Sequence, residues 1–181
     1  SLLNAVSPEI GEVLTGVIRL NFHQTIMGAN GDMAMAQITE THKRHRGQYV
    51  LVVEGTVPLG AQGRYATLGE ENGRPVTFEH WVRFLARDAM AVLAVGTCAT
   101  FGGIPAAAPN PTQSRPVGAV TGGPVVNIPG CPSHPDWVLG TVVHLLKYGM
   151  PKLDKLGRPE MFFGRCVHDL CGRRPDFDQG F

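Results

Sequence analysis

Met90-Ala-Val-Leu-Ala-Val-Gly-Thr-Cys98 is the stretch that decides the fold. Ala91 to Val95 are apolar without interruption, the pattern of a strand covered on both faces, as in a parallel sheet. A glycine then turns the chain and a cysteine follows. Val125-Val-Asn-Ile-Pro-Gly-Cys131 repeats the design. Two further strand-like runs end on or beside a side chain that can ligate a metal or move a proton: Val17-Ile-Arg-Leu-Asn-Phe22 leads into His23, and Tyr49-Val-Leu-Val-Val53 into Glu54. An open parallel sheet gathers its carboxyl strand ends along one edge, and ligands bind there. Cys98 and Cys131 are therefore candidates for one shared site, although they lie far apart in the chain.

Helical periods separate these runs. Residues 1–14 read as a helix with Ile10, Val13 and Leu14 on one side, and Asp32 as the N-cap of an amphipathic helix that ends near Gly47. Thr77 caps a helix carrying Trp81, Phe84 and Leu85. Residues 135–148 place Trp137, Val138, Thr141, Val142, Leu145 and Leu146 on one face. Residues 55–76 and 99–123 read as glycine-rich, irregular loops. The alternation predicts an α/β fold, a flavodoxin-like doubly wound parallel sheet over 1–148. Residues 149–181 lose the rhythm and form a mostly irregular or helical tail. No dinucleotide fingerprint or Walker A motif occurs.

Composition narrows the function. A net charge of +1 with 17% charged residues offers no polyanion-binding surface, so no nucleic acid partner is expected. The basic run Lys43-Arg44-His45-Arg46 suits the end of a helix, where the dipole favours cations. No apolar run approaches the roughly 20 residues that span a bilayer. Four cysteines in 181 residues are too few for a disulfide scaffold. The chain opens at Ser1 without an initiator Met and stops at Phe181 inside an apparent segment, so it is expected to lack both termini of a longer protein.

Small neighbours around Cys98 (Gly96, Gly102, Gly103) and Cys131 (Pro129, Gly130, Pro132) let the backbone approach a bulky ligand and offer it N–H groups. Iron–sulfur clusters are held by thiolates and tuned by such hydrogen bonds. Free cysteines are also common as small core residues. Two ligands do not hold a cubane cluster, so another pair would have to come from elsewhere. A second group, Cys166-Val-His168-Asp-Leu-Cys171, has a His-x-x-Cys spacing that suits one metal on a turn. Tetrahedral zinc coordination and a plain surface turn are the other readings of it. Arg173 and Arg174 could balance the charge of a cluster. Glu54 and His23 read as satisfied structural groups or proton carriers, and His134 as a capping or surface residue.

These residues resemble the small, electron-transferring subunit of nickel–iron hydrogenases. The matching stretches are Ser1-Leu-Leu-Asn-Ala-Val, Phe22-His-Gln-Thr-Ile-Met, Val53-Glu-Gly-Thr-Val-Pro, Gly96-Thr-Cys-Ala-Thr-Phe-Gly-Gly-Ile-Pro-Ala-Ala, Asn127-Ile-Pro-Gly-Cys-Pro, Leu153-Asp-Lys-Leu-Gly-Arg-Pro and Val167-His-Asp-Leu-Cys171. The ordinary and selenium-containing branches look alike here. The resemblance implies that Cys98 and Cys131 are two of four cysteines on a proximal 4Fe–4S cluster, with Glu54 beside it. The other two would stand in a Cys-x-x-Cys ahead of Ser1. It implies that His168 and Cys171 belong to a distal 4Fe–4S cluster, and that a medial 3Fe–4S or 4Fe–4S cluster lies beyond Phe181. Cys166 matches no ligand. The implied enzyme is a heterodimeric hydrogenase whose nickel–iron site is in the large subunit, with no catalytic residue in this chain. Its electrons would leave toward a c-type cytochrome or membrane cytochrome b, on the periplasmic side. A cluster-bearing electron-transfer subunit of a complex I-like oxidoreductase is the alternative. It shares the sheet-edge cluster but is not expected to carry the tail with His168 and Cys171.

Overall fold

In the computed structural model, residues 10–180 are described; the start of the helix expected over 1–14 lies outside them. The elements are α1 (Ile10–Glu12), α2 (Gly31–Arg44), β1 (Val50–Glu54), β2 (Val57–Pro58), β3 (Thr67–Glu71), β4 (Arg74–Thr77), α3 (Phe78–Ala86), β5 (Ala91–Val95), α4 (Thr97–Phe101), β6 (Ser114–Arg115), α5 (Val117–Thr121), β7 (Val126–Ile128), α6 (Pro135–Tyr148), α7 (Glu160–Phe163) and α8 (Arg174–Asp178). The central sheet is parallel, in the order β1-β5-β7.

Alternation along β5 explains why helices cover both faces. Val92 and Ala94 join Val53, Val82, Ala99, Val117 and Val120 in one core, under α3, α4 and α5. Ala91 and Leu93 join Val126, Ile128, Val138 and Leu145 in the other, under α6. Because β5 is the middle strand, its run needs no polar position, and Ala91 to Ala94 are all buried. This is the doubly wound α/β arrangement the sequence predicts. Leu93 is fully buried. Leu93→Ala should cost about 3 kcal/mol, read as a lower urea midpoint at unchanged slope.

A third core joins Met35 and Ile38 of α2 to Trp81 of α3, with Leu68 and Val76 of the β3–β4 hairpin against it. Beside it, Asp88 takes two hydrogen bonds from Arg46, at 2.9 and 3.0 Å, and lies 3.5 Å from the buried His42. The Tyr49 hydroxyl donates to Leu85 O at 2.6 Å. Burial first, and then the Asp88 carboxylate, push that phenol up to about 12.

Four expectations are corrected, the first being the loop over 99–123, which holds the end of α4, the strand β6 paired with β2, and α5. The run Val17–Phe22 is not a strand: Val13–Val17 forms a π-helical turn, and no described strand pairs with the residues after it. His23 therefore ends no strand; its Nδ1 turns back to Thr25. The insertion 55–76 is not irregular, since β3 and β4 pair antiparallel around Asn72-Gly73, both at positive φ. Asp32 sits in the first turn of α2, whose N-cap is Asn30.

The chain after α6 folds back on the sheet. Asn127 donates from its backbone N–H to Gly157 O at 2.8 Å and from Nδ2 to Leu156 O at 2.7 Å. Phe163 meets Trp137 edge-on, with ring centroids 4.8 Å apart. Asp154 holds this loop, accepting from Leu156 N–H, Arg158 N–H and the Arg158 guanidinium. Burial pushes its carboxyl upward, but these donors outweigh it and hold the group below its ordinary range. The sign follows: the stabilisation is present above the unfolded aspartate value of roughly 4 and is lost as pH falls through the lower folded value. Asp154→Asn should remove that acid-sensitive increment, read from midpoints of thermal melts between neutral pH and the acid limb.

Candidate functional site

The site is built at the carboxyl edge of the parallel sheet. Glu54 pairs in register with Val95, and Val95 with Ile128, so three strands end in one row. Cys98 lies three residues past Val95 and Cys131 three past Ile128. The matched offset follows from two strands of the same direction, each leaving the sheet through a glycine.

Hydrogen bonds lace the two exits together. Gly96 N–H donates to Ile128 O at 2.9 Å, and Thr97 N–H to Gly130 O at 2.9 Å. Gly96 N–H also reaches Ser133 Oγ at 3.0 Å, and Gly130 N–H reaches Thr97 Oγ1 at 3.2 Å. Cys98 is half-buried within α4, and Cys131 is exposed just before the turn into α6. A Cβ at Gly103 would stand 2.6 Å from Cys98 Sγ, so the thiol occupies the space a side chain there would need. Glu54 is exposed at the end of β1. His134 caps α6, its Nδ1 accepting from Asp136 N–H at 3.3 Å.

Two thiols at one edge, framed by glycines, fit half of the four-thiolate donor set of a cubane cluster. Among the described residues no three His, Cys, Asp or Glu side chains form a group that could hold a metal ion.

The second group lies on the exposed segment that follows α7. Cys166 caps a short 3₁₀ turn, Val167–Leu170: its side chain accepts from Asp169 N–H while the Asp169 carboxylate accepts from Cys166 N–H at 2.9 Å. That amide donor, more than Arg174, holds the Asp169 carboxyl below its ordinary range. The pattern is a capping box with a thiol in the place of a hydroxyl. His168 lies on this exposed turn with its ring 5.8 Å from that of Phe177, and Cys171 follows the turn. Arg174 pairs with Asp169 at 2.8 Å and lies 3.5 Å from Asp178, so its charge is already engaged. Reading the sequence for ligands missed two side chains at the edge, Thr97 and Ser133. Their signal was adjacency to the cysteines and a hydroxyl in an otherwise apolar, glycine-rich turn.

Fold and edge together define an open α/β protein that presents paired thiols at the exit of its parallel strands. Residues 1–145 match the family described as NADH ubiquinone oxidoreductase, 20 Kd subunit. The chain is 41% identical to the uptake hydrogenase small subunit of Azotobacter vinelandii, over 99% of this chain and 49% of that one. It is 42% identical to the periplasmic NiFeSe hydrogenase small subunit of Desulfomicrobium baculatum, over 98% of this chain and 62% of that one. The crystal structure of a reduced, active form of the Ni-Fe-Se hydrogenase from Desulfomicrobium baculatum superposes with a TM-score of 0.90 at 42% identity, covering 98% of this chain and 70% of that chain. The chain belongs to the NADH ubiquinone oxidoreductase 20 Kd subunit family and, within it, to the small subunits of nickel–iron hydrogenases. It spans about half the length of the uptake hydrogenase small subunits it matches.

Proposed function

We propose that this chain is the electron-relaying part of a nickel–iron or nickel–iron–selenium hydrogenase, working beside a large subunit that carries the nickel–iron site. The observation that carries the reading is the laced pair of glycine turns that brings Cys98 and Cys131 to one sheet edge. In this reading both supply thiolates to a proximal 4Fe–4S cluster, and Glu54, in the same end row, lies near it. When bound, such a cluster supplies a one-electron site whose potential answers to ligand identity, hydrogen bonds to sulfur and burial.

The protein's own contribution is to hold two thiols at a fixed spacing, to wall one of them with Gly103, and to keep the strand-end amides engaged so that the edge does not rearrange. His168 and Cys171 would serve a distal 4Fe–4S cluster, reached from the proximal one through a medial cluster. A histidine there replaces an anionic thiolate with a neutral donor, which favours the reduced state. We place the division between the flavodoxin-like region, 1–148, and the start of the cluster-binding tail, 149–181, with this second group in the tail. The electron acceptor would be a c-type cytochrome or a membrane cytochrome b. A periplasmic location is supported by the name of the Desulfomicrobium baculatum relative; no helix among the described residues is long and apolar enough to cross a membrane.

The description of the matched family favours a second reading, a cluster-bearing subunit of a complex I-like oxidoreductase. That match ends at residue 145, whereas the hydrogenase relatives align over 98–99% of the chain, tail included. The full-length protein expressed with its large-subunit partner should give a reduced-cluster EPR signal with dithionite and take up hydrogen with an artificial acceptor. A protein without a cluster signal sinks the relay reading. A signal without hydrogen uptake transfers the chain to the second reading.

A further inference from the structure

The hydroxyls of Thr97 and Ser133 cross between the two thiol-bearing turns in opposite directions. Thr97 immediately precedes Cys98, and its Oγ1 accepts from the N–H of Gly130, which immediately precedes Cys131, at 3.2 Å. Ser133 stands two residues after Cys131, and its Oγ accepts from the N–H of Gly96, two residues before Cys98, at 3.0 Å. Ser133 is only 5% exposed. Its hydroxyl proton goes to Ile128 O at 2.7 Å, on the strand that carries Cys131. The Ser133 hydroxyl is therefore used as donor and acceptor at once, and buried polar groups satisfied in this way fix local geometry.

We infer that Thr97 and Ser133 are positioning residues, a reciprocal hydroxyl staple that sets the spacing and orientation of the Cys98 and Cys131 thiols. This rests on the proposed role of those thiols as cluster ligands. The backbone bonds between the two exits, Thr97 N–H to Gly130 O and Gly96 N–H to Ile128 O, both take their donors from the Cys98 turn. The Thr97 hydroxyl adds the return bond from Gly130 N–H. The Ser133 hydroxyl ties its own turn to the strand end and to Gly96 together. Neither side chain needs to touch the cluster to act on it.

The two deletions differ usefully. In Ser133→Ala, Gly96 N–H keeps Ile128 O as acceptor, so the turn stays closed while its cross-tie is gone. In Thr97→Val the shape is kept and Gly130 N–H loses its acceptor; Thr97→Ser restores the hydroxyl.

The test uses the full-length protein in complex with its large subunit. Each variant is followed by the rate of iron loss to a chelator and by the line shape of the reduced-cluster EPR signal. Ser133→Ala and Thr97→Val should assemble a cluster but release iron about three- to tenfold faster, the scale of one lost hydrogen bond, with an altered line shape. Thr97→Ser should return to the parent rate and line shape. A parent complex that holds its cluster, beside variants with parent rates and spectra, overturns the staple and leaves the functional reading standing. A parent complex with no cluster, or a Cys98→Ala complex with an unchanged signal, overturns the functional reading and the staple with it.

Discussion

Alanine at Cys98 or at Cys131 is expected to reduce the proximal-cluster signal of the reduced, full-length complex by more than about tenfold, the lower end of what even an outer-shell change costs a metal site. Alanine at Cys166 is expected to leave it intact. The contrast comes from what each sulfur does. Cys98 and Cys131 stand at matched offsets past two paired strand ends, on turns that are hydrogen-bonded to each other. Cys166 sits on a different part of the chain, where its sulfur accepts from Asp169 N–H and its N–H serves the Asp169 carboxylate. A cap removed from an exposed turn costs local order, about 1 kcal/mol for ordinary caps. Cys166→Ser should keep the cap, and Cys166→Ala should loosen the Val167–Leu170 turn, visible as faster amide exchange there. EPR on the three alanine variants, with metal content measured alongside, checks the cluster assignment. A full signal in Cys98→Ala or in Cys131→Ala removes that residue from the cluster.

The two thiol-bearing strands were readable because a central parallel strand has to be apolar on both faces and has to leave the sheet through a turn. Ala91–Val95 with Gly96 satisfies both demands without reference to anything distant. The same logic made α6 legible from Pro135 to Tyr148, where the apolar stripe is long and His134 caps it. Val17–Phe22 shows the limit of such reading. Ile18, Leu20 and Phe22 alternate with Arg19 and Asn21 as strand residues do, yet a strand exists only where a neighbour completes the ladder, and none of the described strands does so here. The hairpin in 55–76 was missed for the opposite reason. Its glycines looked like loop composition, while Asn72-Gly73 between Glu71 and Arg74 is a specific turn signal that favours positive φ at both positions. The Thr97 and Ser133 cross-ties depend on register between strands distant in sequence, which no local pattern encodes.

Gly130→Ala is expected to be among the most damaging single substitutions at the edge, worse than Gly103→Ala and unlike the neutral Gly123→Ala. At Gly130, φ is +142°, and an added Cβ would lie 2.5 Å from Ser133 Cα, 2.7 Å from Pro132 O and 2.9 Å from Ser133 N. All three are backbone atoms, so relief requires moving the turn that presents Cys131 and with it the Ser133 hydroxyl. At Gly103, φ is +56° and ψ −155°, a region almost confined to glycine. Its new Cβ would meet Cys98 Sγ at 2.6 Å and Cys98 Cα at 3.1 Å. The sulfur can swing aside there, which lowers the cost to the fold but turns the thiol away from its partner. Gly123 has nothing within 4 Å and no positive φ. Strain and overpacking together put Gly130→Ala at about 3 kcal/mol or more, a fall in melting temperature of roughly 6–12 °C for a chain of this size. Gly103→Ala should lose less stability than that and, if Cys98 is the cluster ligand proposed above, still lose most of its cluster, because its clash falls on that sulfur. Melting curves and iron content, measured on the same preparations, separate the two effects. Gly103→Ala with full iron content would mean that the Cys98 sulfur does not need the space it occupies, and that the glycine frame is a requirement of the turn alone.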